Sequence, residues 1–129
     1  MSWQVRAAVS GSSRAAVPRL AIAYEPLWAI GDCHNAEPNE ISPTLKAIRK
    51  VVNEMTDDGA TSVLRVLYGG SVNAENVGSY MGLPECDGCL VGGACSRADE
   101  FATMIRRAAE DIPAAHTLGP PSSGMRRGT

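Results

Sequence analysis

Short apolar runs alternate with amphipathic stretches along most of the chain. Arg19–Tyr24 contains LAIAY, which is apolar on both faces and therefore typical of a parallel strand covered on both sides. Two further runs, Val63–Tyr68 and Asp87–Val91, are also predicted to be strands, each closed by glycines. Because strands that alternate with helices favour βαβ units, the pattern predicts an α/β fold with a parallel sheet.

The strongest helical pattern lies between the first two predicted strands. Its apolar residues recur at a spacing that places them on one helix face: Ile41, Leu45, Ile48, Val51, Val52 and Met55. Two starts remain open. Ser42-Pro43 could cap and begin the helix, since proline suits the first turn, whereas a start at Pro38 would leave a kink at Pro43. Asp57-Asp58-Gly59 is predicted to end the helix.

Three shorter helices complete the pattern. They are predicted at Trp3–Val9, at Asn73–Met81 with Asn73 as N-cap, and at Arg97–Glu110. The last of them has an apolar face made of Phe101, Met104, Ile105 and Ala108. From Pro113 the composition shifts to proline, glycine and serine. We therefore expect a folded unit over residues 1–111 and a disordered tail over 112–129.

Residues with chemical potential follow the predicted strands. Right-handed crossovers would place all strand carboxyl ends on one side, where Glu25, Ser71 and Gly92-Gly93 occur. Glu25 precedes Pro26 and a loop over 26–36, so it is predicted to be a carboxylate at a strand end beneath a lid. This arrangement suits a general base, and the glycines suit close approach of an anion. Taken alone, a carboxylate such as Glu25 is more often a solvated or paired acid at a strand end, and a glycine pair is more often a simple turn.

Composition narrows the classes of function. The chain has 129 residues, the size of one small domain, and a formal net charge of −2. This charge gives no reason to expect a nucleic acid or an anionic membrane as partner. No apolar run approaches the ~20 residues of a membrane span. The first residues lack the apolar segment of a secretory signal, so a cytoplasmic location is expected.

Four cysteines raise the question of a metal or redox site. Cys86 and Cys89 have the spacing of half a zinc site or of a redox pair. No second ligand pair accompanies them, because His34 and His116 are isolated. We therefore expect no metal, and we interpret the cysteines as reduced, buried, small apolar residues.

Three motifs carry a resemblance to a known family. Tyr24–Gly31 (YEPLWAIG), Tyr68–Ser71 (YGGS) and Asp87–Ala94 (DGCLVGGA) resemble, in the same order, motifs of the triosephosphate isomerases. The resemblance runs from about Trp3 to Glu110 and matches the last three strand–helix units of a (β/α)8 barrel, which needs roughly 250 residues. It implies a partial TIM barrel of three parallel strands with intervening helices.

The same resemblance implies the reaction and the residues that serve it. The family interconverts dihydroxyacetone phosphate and glyceraldehyde 3-phosphate, in glycolysis and gluconeogenesis, by proton transfer through an enediolate and without a cofactor. By resemblance, Glu25 is the catalytic base and Tyr68 holds the closed lid together with Ala36 at its far hinge. The residues that by resemblance bind the substrate phosphate are Gly31, Ser71, Gly92 and Gly93.

Two departures from the family pattern affect the expected activity. At the lid tip, Asp32, Cys33 and His34 replace a glycine-rich segment. Asp32 would repel a phosphate by about a kcal/mol, which protonated His34 could offset, so a tetrose phosphate is an alternative substrate. In addition, nothing matches the lysine and histidine that the family carries on earlier strands. A base without these electrophiles loses several kcal/mol of transition-state stabilisation, so the isolated chain is predicted to have little activity.

The partial barrel also predicts partners. Three parallel strands leave two unpaired edges, which invite pairing with other chains. The expectation is oligomerisation, aggregation or complementation by a separate chain that carries the earlier strands, and the resemblance itself implies a homodimer. A non-catalytic phosphate-binding or interaction fragment is the alternative function.

Overall fold

The computed structural model describes residues 1–13, 15–29, 35–56 and 64–112. Three predictions fall outside these residues. They are the lid tip with Gly31, Asp32, Cys33 and His34, the helix end at Asp57-Asp58-Gly59, and the tail from residue 113 onward.

The sheet has three parallel strands in the order of the sequence, β1 (Ala21–Tyr24), β2 (Arg65–Tyr68) and β3 (Gly88–Cys89). Helices connect them, so the predicted partial α/β barrel is confirmed. The strands are shorter than predicted. Val17–Arg19 forms a 3-10 turn with Pro18 near its start, which delays β1. In the register of the sheet, Tyr68 pairs with both Tyr24 and Cys89.

The described residues form four α-helices, and the bounds of these helices follow the predicted pattern with one exception. They are α1 (Ser2–Val9), α2 (Pro38–Thr56), α3 (Val77–Met81) and α4 (Ala98–Asp111). Of the two starts left open for α2, the structure has the earlier one, with Pro43 inside the helix. The Glu40 carboxylate accepts a hydrogen bond from the Glu37 N–H at 2.7 Å, which satisfies a donor at this end.

The start of α3 differs from the prediction. The expected helix over Asn73–Met81 begins only at Val77. Instead of capping that helix, the Asn73 side chain accepts hydrogen bonds from the N–H groups of Glu75 at 2.8 Å and Asn76 at 3.1 Å. An asparagine that bonds the backbone two residues on stabilises a turn, and that turn replaces the first helical residues.

The buried core contains side chains from α2, from the strands and from the other three described helices. The apolar stripe of α2 is buried as predicted, with Met55 partly buried. Along α4 the prediction holds only in part. Met104 is 2% exposed, but Phe101 is 38% and Ile105 is 55% exposed. Within the described residues, α4 packs mainly on α3 and on the turn before it, which leaves its outer apolar side uncovered. No helix in this part of the chain is both long and apolar enough to cross a membrane.

Arg49 links α2 to the two neighbouring strands. Its guanidinium donates to the carbonyl of Leu64 at 3.1 Å and to that of Glu85 at 3.0 Å, and it forms an ion pair with Asp87. The Asp87 carboxylate also accepts a hydrogen bond from the Val66 N–H at 2.7 Å. The partly buried guanidinium of Arg49 therefore links the residues that directly precede β2 to those that precede β3.

Candidate active site

The loops that follow the three strands meet at one cavity of about 620 Å³. Glu25 follows β1 directly, the Gly69–Ser71 loop follows β2, and Gly92-Gly93 comes three residues after β3. All of them line this cavity. Since the strands are parallel, their carboxyl ends share one side of the sheet, as the sequence indicated.

Glu25 lies against the end of β2. A Cβ atom placed on Gly69 would lie 2.8 Å from the Glu25 Cγ and 3.3 Å from one carboxylate oxygen. The Gly69 N–H donates to the Tyr24 carbonyl at 2.9 Å, which fixes the two strand ends side by side. A glycine at position 69 thus leaves room for the carboxylate above a hydrogen-bonded backbone. This gives a potential base a rigid support.

The backbone at Gly92 and Gly93 is open towards the cavity. A Cβ atom on either residue would meet nothing within 4 Å. Behind them, a 3-10 turn over Gly93–Ser96 is closed by the Ser96 hydroxyl, which donates to the Gly93 carbonyl at 2.7 Å. Open glycine backbone lets a phosphate approach closely, so the geometry is compatible with the predicted role.

Ser71 is held in place by a residue that the sequence analysis did not single out. The side-chain amide of Asn76 donates to the Ser71 carbonyl at 2.8 Å, and its oxygen accepts from the Asn73 N–H at 2.8 Å. Asn73 and Asn76 therefore bond reciprocally behind the loop. The available signal was two asparagines three apart after a glycine-rich loop, since asparagine side chains commonly bond nearby backbone.

Two buried tyrosines converge on Ala36. Tyr68 is 0% and Tyr80 is 1% exposed, and their ring centroids lie 4.4 Å apart. The Tyr80 hydroxyl donates to the Ala36 carbonyl at 2.8 Å. No described residue forms a hydrogen bond with the Tyr68 hydroxyl. The observed bond to Ala36 thus comes from Tyr80, a residue the sequence analysis missed, and the lid latch of Tyr68 and Ala36 stays a prediction.

Burial keeps both phenols neutral. Desolvation by burial is the largest effect on Tyr68 and raises its pKa. It also raises the pKa of Tyr80, and the adjacent Tyr68 raises it further. Both hydroxyls therefore remain protonated and able to donate hydrogen bonds at neutral pH.

None of the described cysteines lines the cavity. Cys86 is buried and Cys89 half-buried, as free thiols, whereas Cys95 is exposed and corrects the expectation of buried cysteines. The contact between these two thiols lowers the pKa of Cys86 and raises the pKa of Cys89. In the described ranges, no three His, Cys, Asp or Glu side chains are grouped as a metal site.

A close contact at Gly70 leads to a stability prediction. A Cβ atom there would lie 2.1 Å from the Tyr68 hydroxyl oxygen, and the Tyr68 ring is fully buried. We expect Gly70→Ala to lower the free energy of unfolding by about 1–3 kcal/mol, because the ring has no space to move into. Urea unfolding measures the change. Gly93→Ala, in the first residue of a 3-10 turn and with nothing within 4 Å of the added Cβ, is the control and should not lower it by more than about 0.5 kcal/mol. Equal effects of the two substitutions would contradict the expectation.

The comparison with known families agrees with this geometry. The model of the triosephosphate isomerase family matches residues 1–108. This chain belongs to the triosephosphate isomerase family. A triosephosphate isomerase from Rhodococcus jostii is 45% identical over 106 residues, which are 82% of this chain and 41% of that relative. Two further triosephosphate isomerases are similar. The one from Nocardia farcinica is 43% identical over 82% of this chain and 41% of the relative, and the one from Streptococcus agalactiae is 44% identical over 79% of this chain and 40% of the relative.

The length covered limits what family membership implies. The chain spans about two fifths of the triosephosphate isomerases it matches. The match agrees with three strand–helix units of the eight in a complete barrel. The described strands therefore correspond to one part of such a barrel.

Proposed function

We propose that this chain supplies the catalytic carboxylate and the phosphate-binding loops of a triosephosphate isomerase. The observation that carries the proposal is that Glu25, Ser71 and Gly92-Gly93 line one cavity in a member of that family. The substrate is a three-carbon sugar phosphate. The reaction interconverts dihydroxyacetone phosphate and glyceraldehyde 3-phosphate, as a step of glycolysis and gluconeogenesis in the cytoplasm.

Glu25 would act as the proton carrier. Its carboxylate removes a proton from the carbon next to the substrate carbonyl, which leaves an enediolate. After the proton of the neighbouring hydroxyl has moved to the former carbonyl oxygen, the resulting acid returns the carbon-bound proton to the adjacent carbon, and the new carbonyl forms. A carboxylate supported by the paired ends of two strands can be held within reach of both carbons. No cofactor is needed, because the pair of electrons stays within the substrate.

The phosphate would be held by backbone and hydroxyl groups at the other strand ends. Gly92 and Gly93 offer open backbone, and Ser71 is fixed by Asn76. Gly31, the fourth phosphate residue of the proposal, lies outside the described residues. We assign to Tyr68 and Ala36 the latch that keeps water from the enediolate, which would otherwise lose its phosphate.

In this proposal, the groups that polarise the substrate carbonyl come from another part of the complete barrel. In the described part of the chain, neither lysine nor histidine lines the cavity. We propose that a polypeptide carrying the earlier strand–helix units supplies them, either as a separate chain or within a longer protein, and that the complete barrel forms a homodimer. The exposed apolar side chains of Phe101 and Ile105 support docking of such a partner.

A phosphate-binding fragment without turnover is the second candidate. The same observation favours it, since a cavity with a base and phosphate loops but no electrophile can bind without catalysing. A tetrose phosphate isomerase is a third candidate, and it rests on Asp32 and His34 alone.

One experiment separates these candidates. The 129-residue chain is assayed with dihydroxyacetone phosphate, alone and after reconstitution with the part of the Rhodococcus jostii relative that it does not match. We expect the chain alone to show no more turnover than Glu25→Ala, and the reconstituted enzyme to show clear turnover. Phosphate binding without turnover after reconstitution would favour the fragment, and a higher rate on a four-carbon sugar phosphate would favour the tetrose substrate.

A further inference from the structure

We propose that Tyr80 is a positioning residue for the Gly69–Ser71 loop, on which it acts through Tyr68. Its purpose rests on the proposed function, because that loop is assigned there to the substrate phosphate. Tyr80 itself does not line the cavity, so its effect on the cavity must pass through intermediate contacts.

The first contact fixes Tyr80. Its hydroxyl donates to the Ala36 carbonyl at 2.8 Å, across 44 residues of sequence, and both residues are 1% exposed. This bond ties α3 to the segment that leads into α2. A buried carbonyl that lost its donor would be left unsatisfied, so the bond specifies where the end of the Tyr80 side chain lies.

The second contact transmits that position to Tyr68. The two rings lie 4.4 Å apart at an interplanar angle of 40°. Tyr68 is the last residue of β2 and directly precedes the loop. Because Tyr80 occupies one side of the Tyr68 ring, the ring cannot move away in that direction.

The third contact reaches the loop. The Tyr68 hydroxyl lies beneath Gly70, so close that a Cβ atom on Gly70 would be 2.1 Å from its oxygen and 2.6 Å from the ring carbon that bears it. The backbone of Gly70 therefore rests on the phenol. A shift of the Tyr68 ring would displace the loop on which Ser71 sits.

A residue just before α3 holds the other side of the same loop. Asn76 donates to the Ser71 carbonyl at 2.8 Å. The loop is thus supported from beneath by Tyr68, which Tyr80 fixes, and from behind by Asn76. One short segment of chain, 76–80, controls both supports, and this is why a hydroxyl remote from the cavity can affect phosphate binding.

The test compares substitutions of Tyr80 in the full 129-residue chain. Tyr80→Phe keeps the ring and removes the bond to Ala36, whereas Tyr80→Leu removes both. The chain has three tyrosines, and the third, half-buried Tyr24, provides Tyr24→Phe as the matched control. Hydrogen–deuterium exchange is followed at the amides of residues 69–76, and the dissociation constant for inorganic phosphate is measured by titration.

In Tyr80→Phe we expect exchange at residues 69–76 to be about 3–10 times faster and the phosphate dissociation constant to rise by a similar factor, as for loss of one hydrogen bond. Exchange in β1 should stay unchanged. Tyr80→Leu should have the larger effect on both measurements, and Tyr24→Phe should affect neither. In the reconstituted enzyme, Tyr80→Phe should raise KM and leave kcat within about twofold, because it weakens phosphate binding and leaves the base untouched.

Two results would overturn the role of Tyr80. One is unchanged exchange at residues 69–76 in both variants. The other is faster exchange throughout the chain, which would mean that Tyr80 only stabilises the fold. If the unsubstituted chain failed to bind phosphate, the proposed function would be wrong, and the exchange data would still decide whether Tyr80 positions the loop.

Discussion

Glu25→Gln lowers the kcat of the reconstituted isomerase by about 10³-fold and leaves its affinity for inorganic phosphate within about twofold. Glutamine has the size of glutamate but cannot accept the proton, and general-base catalysis typically contributes about 10²–10⁴-fold. Phosphate binding is spared because the other loops that line the cavity, Gly69–Ser71 and Gly92-Gly93, are unchanged. Steady-state kinetics with dihydroxyacetone phosphate and a phosphate titration measure the two effects.

Two further substitutions sharpen this result. Glu25→Asp retains a carboxylate but withdraws it by one methylene, and a displacement of about 1 Å can cost roughly 10²-fold. Glu110→Gln removes an exposed carboxylate from α4, away from the cavity, and should leave kcat unchanged. A loss of less than tenfold in Glu25→Gln would show that another group carries the proton.

Arg49→Met lowers the free energy of unfolding of the chain by about 3 kcal/mol. The substitution removes the donor shared by the carbonyls of Leu64 and Glu85 and leaves the Asp87 carboxylate without its cation. These groups are partly buried, the side chains of Arg49 and Asp87 being 22% exposed. Breaking a buried ion pair from one side typically costs about 3–5 kcal/mol, and the partial exposure places this one at the lower end.

The control for Arg49 is another arginine with a single acidic partner. Arg6 forms an ion pair with Glu54 at 2.6 Å, but the two side chains are 47% and 45% exposed. Arg6→Met should therefore change the free energy of unfolding by no more than about 1 kcal/mol. Urea unfolding of both variants gives the comparison. Similar losses of unfolding free energy would show that the bonds of Arg49 near β2 and β3 stabilise the chain no more than an ordinary surface ion pair does.

The elements that local patterning governs were predictable from the sequence. The apolar stripe of α2 is buried because its spacing matches the helical period, and that period needs no knowledge of the partner. The convergence of Glu25, Ser71 and Gly92-Gly93 was predictable for a similar reason, since right-handed crossovers put the ends of parallel strands on one side. Their roles in catalysis were inferred from the resemblance and stay predictions.

Contacts between distant residues were not predictable. Tyr80 has the pattern of an ordinary apolar helix residue, and only the packing of α3 places its hydroxyl at Ala36. The predicted start of α3 was wrong, because the Asn73 side chain stabilises a turn instead, and in this turn Asn76 bonds Ser71. The exposed apolar residues of α4 show the same limit, since a helical pattern indicates which face is apolar but not what covers it.

The amino-acid sequence by itself therefore determined three features, because periodicity and chain handedness act over short distances. They are the order of the strands, the buried face of α2 and the shared edge of the sheet at which Glu25 and Gly92-Gly93 lie. The tertiary structure decided which tyrosine bonds Ala36, which distant acceptors Arg49 bonds and how much of α4 stays exposed. Each of these depends on a hydrogen bond or a packing contact between residues that are distant in the sequence. The bond from Arg49 to Leu64 spans 15 residues and the bond from Tyr80 to Ala36 spans 44, and no local pattern specifies such a pairing.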